Sequence, residues 1–209
     1  MIYVGVTGQN GFIGKNLLNY LNKYPNKFKI IFFENIFFQN DIDLDTWVKK
    51  CNVIFHLAAI SRHIDPKIVF KTNLELVKKI INSIQRTESK PHLIFTSSIH
   101  EERDTEYGKS KKQSRELFSE WSVQNKTIFT GFLLPNVFGP LAKPNYASVV
   151  ATFSNNLIEN KKNKTYKNEF FQNTTLPKVC NFIINKTYHS KRQLLVYYIM
   201  RTSIRRICL

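Results

Sequence analysis

Three glycines at three-residue spacing, Gly8, Gly11 and Gly14 in "TGQNGFIG", stand between a short apolar run and an amphipathic segment. This placing constrains the fold more than any other feature. "IYVGVTG" reads as a buried strand ending in glycine. In "FIGKNLLNYLNKY", Ile13, Leu17, Leu18 and Leu21 recur at helical spacing. Gly8 permits the tight strand-to-helix turn, Gly11 lets a ligand approach the backbone, and Gly14 lets the helix lie close on a sheet. An ordinary glycine turn is the alternative, and the strand–turn–helix context weighs against it.

The same alternation continues. "KFKIIFFE", "NVIFHLAA", "HLIFTSS" and "TIFTGFLLPNVFG" read as strands. "DLDTWVKKC", with an Asp cap, "DPKIVFKTNLELVKKIINSIQRT" and "EYGKSKKQSRELFSEWSVQ" read as helices between them. Strands alternating with helices imply parallel βαβ units. The expected class is α/β, a Rossmann-like doubly wound parallel sheet with helices on both faces and an incomplete substrate lobe. Two parts are expected: residues 1–155, a dinucleotide-binding domain, and 156–209, where the alternation fades into a basic tail of uncertain fold.

The chemistry sits on two motifs. The helix after the glycine turn offers unpaired N–H groups to a pyrophosphate. "TEYGKSK" places Tyr107 four residues before Lys111, on one face of a helix. Nine tyrosines in a lysine-rich chain give about one such pair by chance, so context decides. A free phenol has a pKa of about 10, and a nearby ammonium is expected to lower it toward working pH. A surface Tyr beside a solvated Lys is the plainer alternative. Ser98 ends the "FTSS" strand just before this helix. No G-x-S-x-G or triad supports a nucleophilic serine.

Composition narrows the partners. The net charge of +16 could suggest nucleic acid, but residues 161–209 hold 11 Lys and Arg against one acid, Glu169, so most of the excess is in the tail. No aromatic–basic interleaving appears, and no specific nucleic-acid partner is expected. The three cysteines, Cys51, Cys180 and Cys208, are isolated, so neither a metal site nor a disulfide is expected. No run of 18 apolar residues occurs and the N-terminus does not read as a signal peptide, so a cytoplasmic chain with no membrane insertion is expected.

Taken in order, these motifs resemble the extended short-chain dehydrogenase/reductase family of nucleotide-sugar enzymes, the NAD-dependent epimerases and dehydratases, over roughly residues 1–155. The resemblance implies cofactor contacts at Gly8, Asn10, Gly11, Phe12, Ile13 and Gly14. It implies others at Leu57, Ala58 and Ala59 over the adenine, at Asn73 in the long helix, and at Pro135. It gives the catalytic set as Ser98, Tyr107 and Lys111, with Tyr107 and Lys111 also meeting the cofactor. Glu34, at the end of the second strand, would bond a ribose 2′-OH and favour NAD(H). The nearer subgroup favours NADP(H), and Asn35, Lys15 or Arg62 could accommodate the extra phosphate, so both cofactors stay open.

"LLPNVFGPLAKPNYASVVATFSNNLIEN" and "SSIHEERDTEYGKSK" resemble the bacterial bifunctional capsular-polysaccharide enzymes that reduce a 4-keto UDP-deoxysugar. By that resemblance Asn136, Lys143, Asn145 and Tyr146 line the sugar-nucleotide side; a turn cap, a solvated charge or a core tyrosine are the plainer readings. The family often has an Arg before its Pro-Asn, where this chain has Leu133 and Leu134. After about Asn160 the resemblance stops: neither the acidic turn nor the C-terminal cupin domain of that group is visible. "VYYIMRTSIRRICL" shows no helical stripe, and a frameshift or truncation is expected. The implied activity is NAD(P)H-dependent reduction of a 4-keto UDP-sugar in capsule or O-antigen synthesis. A related epimerase or dehydratase, or a non-catalytic dinucleotide-binding remnant, is the alternative. The resemblance admits a homodimer.

Overall fold

The computed structural model describes residues 1–146, 148–162, 172–189, 194–198 and 202–203. The chain runs β1 (Ile2–Thr7), α1 (Phe12–Leu21), β2 (Phe28–Ile31), α2 (Asp41–Lys49), β3 (Val53–His56), α3 (Pro66–Arg86), β4 (His92–Ser98), α4 (Glu106–Gln124), β5 (Phe129–Leu134) and β6 (Asn136–Phe138). It continues through α5 (Val149–Ile158), β7 (Gln172–Thr175), α6 (Leu176–His189), β8 (Leu194–Tyr198) and β9 (Thr202–Ser203). The main sheet has six strands in the order β2-β1-β3-β4-β5-β8, every pair parallel. The order reverses between β1 and β3. In open α/β sheets ligands bind in the crevice at the carboxyl ends of strands flanking such a reversal.

Residue chemistry explains the element ends. Pro135 separates β5 from β6, since proline lacks the ladder donor. Asp65 caps α3, its side chain accepting from Lys67 N at 2.9 Å, and Pro66 takes the first helical position. The expected Asp cap of α2 is not the one used. The helix starts earlier, and the Asn40 side chain accepts from Ile42 N and Asp43 N at 3.0 and 3.3 Å. Asp41 and Asp43 then sit in the first turn, where the helix dipole favours them.

Apolar layers cover both sheet faces. Phe33, Trp47, Val77, Ile80, Ile84, Phe95, Phe118 and Trp121 pack under α2, α3 and α4. Val4, Val6, Leu17, Leu21, Ile94, Phe132, Val179 and Cys180 pack under α1 and α6. Each fully buried side chain of this size contributes about 1.5–3 kcal/mol relative to exposure. Gly5 leaves the space that the Trp47 ring fills: a Cβ there would lie 2.8 Å from its Cη2.

The boundary expected at residue 155 falls inside α5. Beyond it, Leu176, Val179, Cys180 and Ile184 are buried in the same layer as Leu17 and Leu21. The Tyr20 hydroxyl donates to Asn181 Oδ1 at 2.8 Å, and β8 extends the main sheet. Those apolar positions do recur at helical spacing, diluted among lysines and asparagines. Of "VYYIMRTSIRRICL", only 196–198 and 202–203 lie within the described residues.

Candidate active site

The glycine turn is held by backbone contacts. Gly8 has φ +71, and a Cβ there would lie 2.7 Å from Ala58 N. A Cβ on Gly14 would sit 2.7 Å from Gln9 Cα, so both positions require glycine. Gly11 differs: its N–H donates to Gly8 O at 3.0 Å, and an added Cβ would meet only Gly8 O, at 3.2 Å. Gly11 caps α1 without any side-chain hydrogen bond. The helix thus begins with open amides facing an exposed residue, which suits a diphosphate. A nicotinamide dinucleotide fits this cradle by its backbone geometry. Phe12 and Ile13 follow, partly buried against the α1 layer, and Asn10 is exposed.

The β3 end is pinned beside it. Thr7 Oγ1 lies 3.1 Å from His56 Nδ1 and accepts from Ala58 N at 3.3 Å. Leu57 and Ala58 are partly buried and Ala59 exposed. Asn73, expected to touch the cofactor, is instead committed to the protein. Its Oδ1 accepts from Ile60 N at 2.9 Å, and its amide donates to Ile60 O at 3.0 Å and Ser110 Oγ at 2.9 Å. At 3% exposure it shapes the loop after β3 and ties it to α4. Glu34 is exposed just past β2. Arg62, a candidate for a 2′-phosphate, is occupied elsewhere: its guanidinium lies 5.2 Å from the Tyr146 ring and donates to Tyr146 O. Lys15 is exposed on α1.

The catalytic candidates converge through one close approach. A Cβ on Gly108 would collide with His100 O, so this glycine lets α4 press on the turn Ile99–Glu102 after β4. Thr105 caps α4, accepting from Gly108 N at 3.0 Å, which sets Tyr107 in the first turn. The Tyr107 ring meets His100 edge-on at 6.4 Å. Ser98 Oγ accepts from His100 N at 3.2 Å and keeps its own hydroxyl hydrogen to donate. Ser97 spends its hydroxyl on Glu101 Oε1 and is buried. This supports Ser98 over Ser97.

Electrostatics reverse one expectation. Burial, and then the neighbouring Tyr146, push the Tyr107 phenol up to about 12 rather than down. Burial brings the Lys111 ammonium down to about 7, with the Glu101 carboxylate opposing that fall. Lys111 is 4% exposed, with Nζ 4.2 Å from the Phe95 ring centre. Desolvation outweighs the attraction expected from four-residue spacing. A phenol that stays protonated is the form a proton donor requires. His56, fully buried, is pulled down to about 3 by burial and then by Lys111, so it is neutral and structural.

On the other side Asn136 is partly buried in β6, while Lys143, Asn145 and Tyr146 are exposed. Tyr146 stands within 3.5 Å of Ser61 Oγ through its hydroxyl and so reaches the loop after β3. Asn145 has φ +56, and its N–H donates to Thr152 Oγ1 at 2.9 Å. Pro135 is buried at the β5 end, and Leu133 and Leu134 are core residues. Sequence reasoning missed Gln9, 7% exposed, whose Nε2 donates to Phe33 O and ties the glycine turn to the segment after β2. It also missed Glu101 and Arg115. The only local signal for the latter was Tyr107, Lys111 and Arg115 at four-residue intervals.

Residues 4–172 match the model of the NAD dependent epimerase/dehydratase family. A UDP-2-acetamido-2,6-beta-L-arabino-hexul-4-ose reductase of Pseudomonas aeruginosa is 35% identical over 153 residues, 73% of this chain and 40% of that protein. The chain therefore spans less than half of that relative. The capsular polysaccharide assembling protein CapF of Staphylococcus aureus superposes with a TM-score of 0.76 at 22% identity, covering 97% of this chain and 54% of CapF. RMD of Pseudomonas aeruginosa, solved with NADPH, gives 0.83 at 16% identity, covering 97% and 81%.

Proposed function

Since the chain belongs to the NAD dependent epimerase/dehydratase family, we propose that it reduces a 4-keto UDP-deoxysugar with NADH or NADPH. The reading extends to a cytoplasmic step of capsule or O-antigen assembly, carried out by residues 1–155 with a partial substrate lobe after them, and it admits a homodimer. One observation carries it: the uncapped α1 start at Gly11 and the Ser98–Tyr107–Lys111 set lie at the carboxyl edge of one parallel sheet. Among the described residues no helix is long and apolar enough to cross a membrane.

In this reading the open amides at the start of α1 and the Gly8–Gly11 turn hold the diphosphate. Glu34 meets the adenosine ribose, and the Leu57–Ala59 segment underlies the adenine. A reduced nicotinamide, when bound, would supply hydride for the C4 carbon. Ser98 donates a hydrogen bond to the ketone oxygen and fixes its direction. Tyr107 transfers its phenolic proton to that oxygen as negative charge develops there. Lys111, cationic below about pH 7, supports the tyrosine as its proton leaves. Asn136, Lys143, Asn145 and Tyr146 are placed to meet the sugar nucleotide.

The family's own description keeps a nucleotide-sugar epimerase or dehydratase as the second reading, since these share the cofactor cradle. Titration with NADH and NADPH, followed by nicotinamide fluorescence, is the first test. Gly11→Val puts a branched side chain in the diphosphate position and should abolish binding while the protein stays folded. Equal affinity in that variant would reject the cradle. Net consumption of reduced cofactor with a 4-keto UDP-sugar separates reduction from epimerisation, and binding without turnover would favour a non-catalytic module.

A further inference from the structure

A buried ion pair lies behind the catalytic set, and the mechanism above makes no use of it. The Glu101 side chain is 5% exposed and that of Arg115 19%, and their charged atoms meet at 2.9 Å. The contact is forked: Arg115 Nε donates to Glu101 Oε1 and Oε2 at 3.0 and 3.1 Å, and Nη2 to Oε2 at 2.9 Å. Glu101 Oε1 also accepts from Ser97 Oγ. The carboxylate therefore joins three pieces: β4 through Ser97, the turn after it through its own backbone, and α4 through Arg115. Gly131 on β5 makes room for the arginine stem, for a Cβ there would lie 3.3 Å from Arg115 Cδ.

Burying a carboxylate is costly unless it is paired and hydrogen-bonded. This one is both, and its partners sit on either side of the reacting groups. Ser98 follows Ser97 directly, and Arg115 is one helical turn beyond Lys111. We propose that Glu101 and Arg115 are positioning residues, a brace that holds the serine turn against the tyrosine helix and so sets Ser98 relative to Tyr107. This rests on the reading of Ser98, Tyr107 and Lys111 as the reacting groups. A second consequence falls on Lys111. The Phe95 ring from β4 and neutral His56 from β3 face it, and Tyr107 and Arg115 lie four residues to either side on its own helix. Glu101 is the negative charge acting on it, and favours its ammonium form.

Two measurements on the full chain test the brace, and neither needs cofactor or turnover. In protein labelled with ¹³C at lysine Cε, the Lys111 signal is identified by its loss in Lys111→Met and followed against pH. Glu101→Gln should lower its midpoint by about one pH unit, whereas Glu101→Asp, which keeps the charge, should recover most of the shift. An unmoved midpoint in Glu101→Gln overturns the proposal. In Arg115→Lys, which keeps the cation and loses the fork, amides of residues 99–108 should exchange about tenfold faster, with β1 and β3 unchanged. Unchanged exchange in that turn also overturns it. Should Glu101→Gln fail to fold, the charge-conserving Arg115→Lys decides alone. Failure to bind NADH or NADPH would defeat the functional reading and leave the brace standing.

Discussion

The two halves of the candidate site are built on different principles. The side proposed to take the dinucleotide is fixed by backbone: glycines at 8 and 14 have no space for a side chain, Thr7 ties the end of β3 to β1, Gln9 ties the glycine turn to the segment after β2, and Asn73 ties the loop after β3 to α4. The side proposed to take the sugar is fixed by side chains meeting at the surface. No residue of α5 is buried, Leu157 and Ile158 are exposed, and Tyr146 reaches the loop after β3 through Arg62 and Ser61. The difference teaches where substitution can act. A shared cofactor demands an invariant cradle, while a variable sugar can be accommodated by segments with little stake in the core.

If that contrast is real, Gly14→Val should give the largest effect. Its side chain would strike the Gly8 and Gln9 backbone, and the strain should remove more than about 4 kcal/mol, read by urea denaturation. Acid should come next, and it should act through the sheet. His56 and His92 are held neutral by burial, down to about 3 and about 4. Below about pH 6.5 the unfolded imidazoles take up protons that the folded ones refuse, so stability present above that pH is lost as pH falls. The loss should reach roughly 2 kcal/mol for each by pH 5, and a flat stability between pH 7 and pH 5 would refute it.

Tyr107→Phe follows, with about a 100-fold loss of kcat and nearly unchanged cofactor affinity. In the unmodified protein kcat/KM for reduction should fall as pH rises through about 7, where Lys111 loses its proton. Equal turnover in the Phe variant would remove Tyr107 from the mechanism. The smallest effect sharpens the contrast from the other side. Leu157→Ser should change stability by less than about 0.5 kcal/mol, since nothing buried is lost. A large loss there would mean that the sugar side is load-sharing with the core after all.

Much of this was legible in the sequence, for physical reasons. The strands, the helices and the glycine turn rest on local periodicity and on spacing within a few residues, and Tyr107–Lys111 is set by one helical turn. The remainder depends on contacts between distant residues. Asn73 reads as a cofactor ligand until its partners Ile60 and Ser110 are known. Glu101 reads as a surface acid until Arg115 closes over it. The direction of the Tyr107 shift could not be read at all, because it is decided by burial, which no four-residue spacing encodes. The fold of residues 172–189 was missed for a different reason: the burial of Leu176, Val179, Cys180 and Ile184 is against α1, which is far off in sequence, and Pro177, Lys178 and Asn181 interrupt the local pattern.

The seat that Gly5 makes for the Trp47 ring has a practical consequence. The chain has two tryptophans, Trp47 and Trp121, and both lie in the layer under α2, α3 and α4. Tryptophan emission is therefore a reporter of that layer. It will register loss of the packing beneath the adenosine end and the tyrosine helix, and it is blind to the opposite layer, where α1 meets α6. A melt followed by tryptophan light and one followed by backbone dichroism thus interrogate different parts of the same molecule. Any gap between the two curves measures how far the α1–α6 layer can come apart before the other does.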